Sequence, residues 1–249
     1  MAVKLDVTHA IVLGPGEGEV ITERPARTLH LKVGIDAIAV TETRYEPGER
    51  GPDAHVHHRH ADAFYVVEGT VLYELGSNGE AVRAPAGSFI AAPPDVAHSF
   101  RNEGPGRARF LNFHAPSEGF HDYLRALYAG EDTSWFDQHD PPPDGGRPFP
   151  DAVVRGPGEG GRIEIAGMLA FAETAIAPGS DGSHRVPGAA HNVLYVLDGT
   201  LALRLGDDAL DAAPGTFVCV PPGVAHTLAN RGEKPVRFLD LTAPPARRP

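Results

Sequence analysis

The chain has little of what several protein classes require. Among its 249 residues there is one cysteine, Cys219, so no internal disulfide can form and a reducing, cytoplasmic location is expected. That thiol sits in the apolar run T-F-V-C-V, where it reads as a buried, inert side chain and not a nucleophile. Basic residues are scarce, 22 against 33 acidic, for a net charge of −11. Such a chain repels phosphate backbones and anionic headgroups, which argues against nucleic acid and membrane surfaces as partners. Long hydrophobic runs are missing: none approaches the roughly 20 residues that span a bilayer. The opening M-A-V-K-L-D-V-T-H-A lacks the apolar stretch of a secretion signal. Aromatics are sparse at 7%, whereas Gly (29) and Pro (24) are plentiful. Those two residues interrupt helices and build turns, which suits an all-β chain better than a helical bundle.

The second half repeats the first. Residues 14–21, G-P-G-E-G-E-V-I, return at 156–163 as G-P-G-E-G-G-R-I. Y-V-V-E-G-T (65–70) answers to Y-V-L-D-G-T (195–200), and G-S-F-I-A-A-P-P-D-V-A-H (87–98) to G-T-F-V-C-V-P-P-G-V-A-H (215–226). F-L-N-F-H-A-P (110–116) answers to F-L-D-L-T-A-P (238–244). Four matches in one order mark an internal duplication. Between turns lie short segments rich in Val, Phe, Tyr, Ile and Leu, at 36–44, 63–68, 70–75, 87–92 and 108–114, with counterparts later. Their density predicts antiparallel sandwiches or barrels. One helix interrupts them, over G-F-H-D-Y-L-R-A-L-Y. Ser117 is its expected cap, Phe120, Tyr123, Leu124 and Leu127 form its apolar face, and Gly130 ends it. Residues 131–150, with P-P-P-D-G-G-R-P, carry no periodicity and read as a linker. The expected division is a barrel with trailing helix at 1–130, a linker at 131–150 and a second barrel at 151–249.

Chemistry concentrates in H-V-H-H-R-H-A-D (55–62). Alternation along an extended strand puts His55 and His57 on one side, and Asp62 follows five residues later. Two imidazoles and a carboxylate that converge make half of a metal site. His98, in P-P-D-V-A-H, stands further on. The same alternation points His58 and His60 away from that side, as exposed or supporting groups.

The pattern H-x-H-x4-D-x6-G (His55, His57, Asp62, Gly69), followed by G-x5-P-x-D-x2-H-x3-N (Gly87, Pro93, Asp95, His98, Asn102), resembles the two cupin motifs. The second half repeats the latter motif at Gly215, Pro221, Gly223, His226 and Asn230. The chain therefore resembles a bicupin over nearly its whole length, and its first half is similar to quercetin dioxygenase-like cupins. The resemblance implies a double-stranded β-helix, or jelly roll, in each half. It also implies one divalent transition metal (Fe, Ni, Mn, Co, Cu or Zn) bound by His55, His57, Asp62 and His98. Asp62 stands where the family usually has the longer Glu, and Asp95 where it usually has Gly. Counting sides from Asp62 and His98, Phe64, Val66, Phe100 and Asn102 are expected to face a substrate, with Tyr73 and Phe89 as further lining. In the second half Asn192 replaces the acid and no histidine answers His57. That half is expected to have lost its metal, a weak site of His184, His191 and His226 being the alternative.

On this reading the chain is a dioxygenase that acts with O2 on a hydroxylated aromatic (flavonol-like) or 1,3-dicarbonyl molecule, with Asp62 as catalytic base. The alternatives are a non-catalytic small-molecule binder and a metal-dependent isomerase or hydrolase on the same scaffold. A homodimer is expected, since open sheet edges need cover.

Overall fold

The computed structural model describes residues 10–185 and 188–244. In chain order the strands are β1 (Ile11–Leu13), β2 (Glu19–Arg24), β3 (Arg27–Ile35), β4 (Ile38–Tyr45), β5 (Ala61–Glu68), β6 (Thr70–Leu75), β7 (Glu80–Pro85), β8 (Phe89–Ala92), β9 (His98–Arg101) and β10 (Ala108–Ala115). Helix α1 (Phe120–Ala129) follows, then β11 (Val153–Arg155), β12 (Ile163–Ile165), β13 (Leu169–Ile176), β14 (His184–Arg185) and β15 (His191–Asp198). The last strands are β16 (Leu201–Leu205), β17 (Asp208–Ala212), β18 (Phe217–Val220), β19 (His226–Ala229) and β20 (Val236–Ala243).

All pairings are antiparallel and they fall into two units. The unit Glu19–Glu159 holds a seven-stranded sheet, in the order β11-β8-β5-β10-β4-β3-β2, and a three-stranded sheet, β7-β6-β9. Its core joins the two sheets: Phe64, Val66, Tyr73, Ile90, Phe100 and Phe110 pack in one cluster. The other unit has a six-stranded sheet, β1-β18-β15-β20-β13-β12, and a four-stranded one, β14-β19-β16-β17. Leu194, Val196, Leu203, Val218 and Phe238 fill it. Each unit is a jelly roll, as the repeat predicts.

The units do not divide at residues 130 and 150. β1 adds to the edge of the second jelly roll, Ile11 beside Cys219, and β11 adds to the first, Val153 beside Ala91. The chain changes unit at 18/19 and again at 159/160. Each N-terminal strand thus covers an edge of the barrel encoded by the other half.

Helix α1 closes one side of the first unit. Phe120, Tyr123 and Leu124 are buried against Leu29, Ala39 and Phe136. Leu127, expected on that face, is 44% exposed. Gly34 lets the helix approach β3, because a Cβ there would lie 2.5 Å from the His121 side chain. The cap residue is Gly119, at φ 80°, and no side chain caps the helix; Ser117 instead supplies the carbonyl that receives the Phe120 N–H at 2.8 Å. Gly130 ends the helix in the left-handed conformation, as its position predicts. No helix among the described residues is long and apolar enough to cross a membrane.

Candidate metal centre

Inside the first unit the structure gathers His55, His57, Asp62 and His98, all buried, with one potential ligand atom from each lying within 4.8 Å of the others. His55 is held by a single bridge to His98 and Val56 by another to His139. This extended stretch keeps the alternation that puts His55 and His57 on one side. Asp62 comes from β5 and His98 opens β9.

Three backbone carbonyls orient the rings. The Nδ1–H of His55 donates to the Asp53 carbonyl at 2.8 Å, and that of His98 to the Val96 carbonyl at 3.1 Å. The Nδ1–H of His57 donates to the Asp137 carbonyl. With the proton on Nδ1, a neutral ring turns its Nε2 lone pair to the centre. Burial, helped by the neighbouring imidazoles of His98 and His57, lowers the His55 pKa to about 2, and burial lowers that of His57 to about 4. The rings of His55 and His57 are therefore neutral, the form that coordinates metal. Burial alone would raise the Asp62 carboxyl, but the surrounding His114, His57 and His98 outweigh it and hold it well below the usual carboxylate range. Asp62 Oδ2 lies 3.1 Å from His98 Nε2, while Oδ1 accepts from the Asn112 amide.

His57 Nε2 is buried with no hydrogen-bond partner. A buried polar atom without a partner is costly, and a cation bound between the rings would satisfy it. Three neutral imidazoles and one carboxylate, without thiolate, fit an open transition-metal site and not a closed structural zinc site.

A second layer of buried residues, distant in sequence, supports the first. Asp137 is 1% exposed; its carboxylate accepts from the backbone N–H of His58 (3.1 Å) and Arg59 (2.8 Å) and from His60 Nδ1 (3.0 Å). His60 Nε2 lies 2.9 Å from His114 Nδ1, and His114 Nε2 lies 3.1 Å from Asn112 Oδ1. His57, His60 and His114 form a further group close enough to hold an ion. His58 is half exposed and pairs with Asp95 at 2.6 Å. Residues 131–150 are thus no plain linker, since Phe136 and Asp137 lie in the interior.

A cavity of about 310 Å3 opens beside the centre. Asp62, His55, His114 and Asn112 line its inner end, while Tyr45, Phe100, Phe110, Phe120, Tyr123 and Leu124 form apolar walls. Of the residues expected to face a substrate, Phe100 alone lines it. Phe64, Val66 and Tyr73 belong to the core, where packing between the sheets claims them. Phe89 pairs with Tyr65, one step out of phase with the core pair Phe64–Ile90, and so faces the other side of the sheet. Asn102 is buried as a turn clamp, donating to the carbonyls of Tyr45 (3.0 Å) and Gly106 (2.9 Å). Sequence reasoning missed His114 and Asn112. A signal was present: the matching segment of the second half reads F-L-D-L-T, so both residues differ where the metal motif also fails.

The second jelly roll carries another arrangement at the same place. Arg185 pairs with His226 as His55 pairs with His98, so arginine stands where a ligand histidine would be. His226 Nε2 lies 2.9 Å from Asn192 Oδ1, and the Asn192 amide donates to Asp240 at 2.8 Å. The Arg185 guanidinium donates to the same Asp240. His184 is exposed, 3.3 Å from the Thr227 hydroxyl, and His191 does not join it. Among the described residues His184, His191 and His226 form no group that could hold an ion. Val186, at the expected place of a missing ligand, lies outside the described residues.

The cupin domain family (Cupin_2) matches residues 41–114 and again 172–242. The chain belongs to this family and is a bicupin. Protein YlbA from E. coli is similar to it at 13% identity and TM-score 0.68, over 97% of this chain and 93% of that one. Oxalate decarboxylase from Lactobacillus farciminis, in a formate complex, is similar at 14% identity and TM-score 0.64, over 94% and 86%. AerE from Microcystis aeruginosa is similar at 11% identity and TM-score 0.62, over 90% and 95%. At these identities the likeness is one of fold. No curated protein matches the sequence.

Proposed function

We propose that this bicupin is a metal-dependent dioxygenase, which opens a carbon–carbon bond of a hydroxylated aromatic or 1,3-dicarbonyl molecule with O2 as second substrate. The observation that carries the reading is the cavity: oxygen- and nitrogen-bearing side chains at its inner end, aromatic walls beyond, and about 310 Å3 between them. That volume and lining suit a flat organic molecule with oxygen donors at one end. A two-carbon dicarboxylate would leave most of the apolar wall unused.

In this reading the Nε2 atoms of His55, His57 and His98, with the Asp62 carboxylate, hold one divalent metal. Bound there, the metal supplies a Lewis acid and a template for the substrate's oxygens. Manganese is the first candidate: an oxalate decarboxylase of Bacillus subtilis described with Mn(II) centres shares the fold at 16% identity and TM-score 0.61. Asp62 keeps its negative charge and accepts a hydrogen bond or a proton at Oδ2 from the incoming hydroxyl. Phe100, Phe110 and Phe120 exclude water from the inner end, and Tyr123 and Gln138 offer polar contacts further out. The cytoplasm and a homodimer complete the proposal. One buried cysteine supports the former; the terminal strand β2, with Val20 55% exposed, supports the latter.

The test is oxygen uptake by protein loaded with Mn, Fe, Co, Ni, Cu or Zn in turn, supplied with flavonols and 1,3-diketones. Uptake matched to substrate loss, and abolished by His98→Ala, supports the dioxygenase. Tight ligand binding without turnover under every metal favours a non-catalytic binder. Anaerobic turnover favours an isomerase or hydrolase.

A further inference from the structure

We infer that Asp137, from the segment after helix α1, is the residue that positions the metal-binding loop; the inference rests on the metal reading of the His55–His98 centre. A buried carboxylate is tolerated only where donors saturate it. Asp137 has such donors, and most belong to one short stretch: the backbone N–H groups of His58 and Arg59 and the Nδ1–H of His60. The remaining one is His139 Nε2, at 3.1 Å. The stretch 58–60 joins the ligands His57 and Asp62, and it turns sharply without ladder partners of its own. Asp137 takes the place of a neighbouring strand there. Its backbone carbonyl also receives the His57 Nδ1–H. One residue therefore sets both the course of the loop and the tautomer of a ligand in it.

The placement connects the centre to the cavity. Val56 and His139 exchange backbone hydrogen bonds at 2.9 and 3.0 Å, which fixes this strap alongside the ligand stretch. The next residue after Asp137, Gln138, lines the cavity and receives the Tyr123 hydroxyl at 3.4 Å. Asp137 does not line this cavity, so it acts through His57 and His60. It is a positioning residue, and its loss should change how metal is held before it changes anything else.

The experiment loads full-length wild type, Asp137→Asn and Asp137→Ala with Co2+. Affinity is read by competition with a chromophoric chelator, geometry by the visible d–d spectrum, and folding by circular dichroism of the metal-free proteins. Asp137→Ala is expected to weaken Co2+ by about 10–100-fold, the usual effect of losing a group that orients a ligand, and to change the band shape. Asp137→Asn, which still accepts from the loop N–H groups but not with a full charge, is expected to fall between. A folded Asp137→Ala protein with wild-type affinity and spectrum would overturn the inference and leave Asp137 a purely structural clamp. Should Asp137→Ala fail to fold, an unaltered spectrum and affinity in Asp137→Asn would do the same. If wild type itself binds no Co2+, the metal reading falls first and the positioning role goes with it, a result distinct from the other two.

Discussion

Asp62 holds the contested role at the centre. Oδ1 accepts from the Asn112 amide, and Oδ2 lies 3.1 Å from His98 Nε2, with His114 Nε2 at 3.5 Å and His57 Nε2 at 3.8 Å. Those neighbours hold the carboxyl well below its usual range, which makes it a weak proton acceptor and a ready ligand. Asp62→Asn is therefore expected to lose metal and turnover together, measured by elemental analysis beside the oxygen assay. Metal retained with turnover down about 10^2–10^4-fold would assign the proton-transfer role instead. Retention of both would remove Asp62 from the mechanism. A second residue makes a simpler prediction. Burial pushes the Cys219 thiol up to about 12. Since the thiolate is the nucleophile, alkylation of the native protein at pH 8 should run about a thousandfold slower than for a free thiol, and recover on unfolding. Rapid labelling of the folded chain would show that β18 opens.

Among the elements, the glycines of the repeated motif explain themselves in the structure. Gly69 adopts φ 75°, and a Cβ there would lie 2.2 Å from the Arg107 carbonyl. Gly69→Ala should cost about 1–3 kcal/mol, read as a lowered unfolding midpoint; an unchanged midpoint would mean that the turn relaxes freely. Strands and the helix were legible because each is written locally, in alternation and in Gly130. The exchange of β1 and β11 was not. Strands of three residues, I-V-L and V-V-R, carry no mark of which half they will pair with, and the G-P-G-E-G repeat after each strand read as one more sign of duplication. Its physical meaning is a turn whose proline packs on the opposite half's motif: Pro15 meets Gly215, and Pro157 meets Gly87. A fragment of residues 19–159 should therefore fold alone and melt cooperatively by circular dichroism. One cut at 150 loses β11, exposes the edge of β8, and should melt lower or aggregate. Equal stability of the two fragments would deny β11 that part.

At the scale of the whole chain, duplication has produced two barrels with different polar centres, and on the proposed metal reading the difference can be counted in metal. The cluster of His55, His57, Asp62 and His98 was readable in the first half because the motif is compact and spaced to a strand. Asp137 was hidden, since it lies 80 residues from His57 with only W-F-D-Q-H, an aromatic pair in a polar stretch, to mark it. In the second half the polar centre survives with its charges exchanged. The carboxylate moves from β5's position, now Asn192, to β20's position, now Asp240 against Asn112. Thr242 takes the place of His114, and the Arg185 guanidinium sits where a ligand histidine would be. A fixed cation bonded to Asp240 already meets the need that a metal would meet in the first barrel, and it repels a second positive charge. Full-length protein, saturated and then desalted, should therefore carry one equivalent of divalent metal. His98→Ala should reduce that to nearly none, whereas His226→Ala should leave it at one. Two equivalents in wild type, with one lost in His226→Ala, would mean that Arg185 swings aside and the second barrel is a working site.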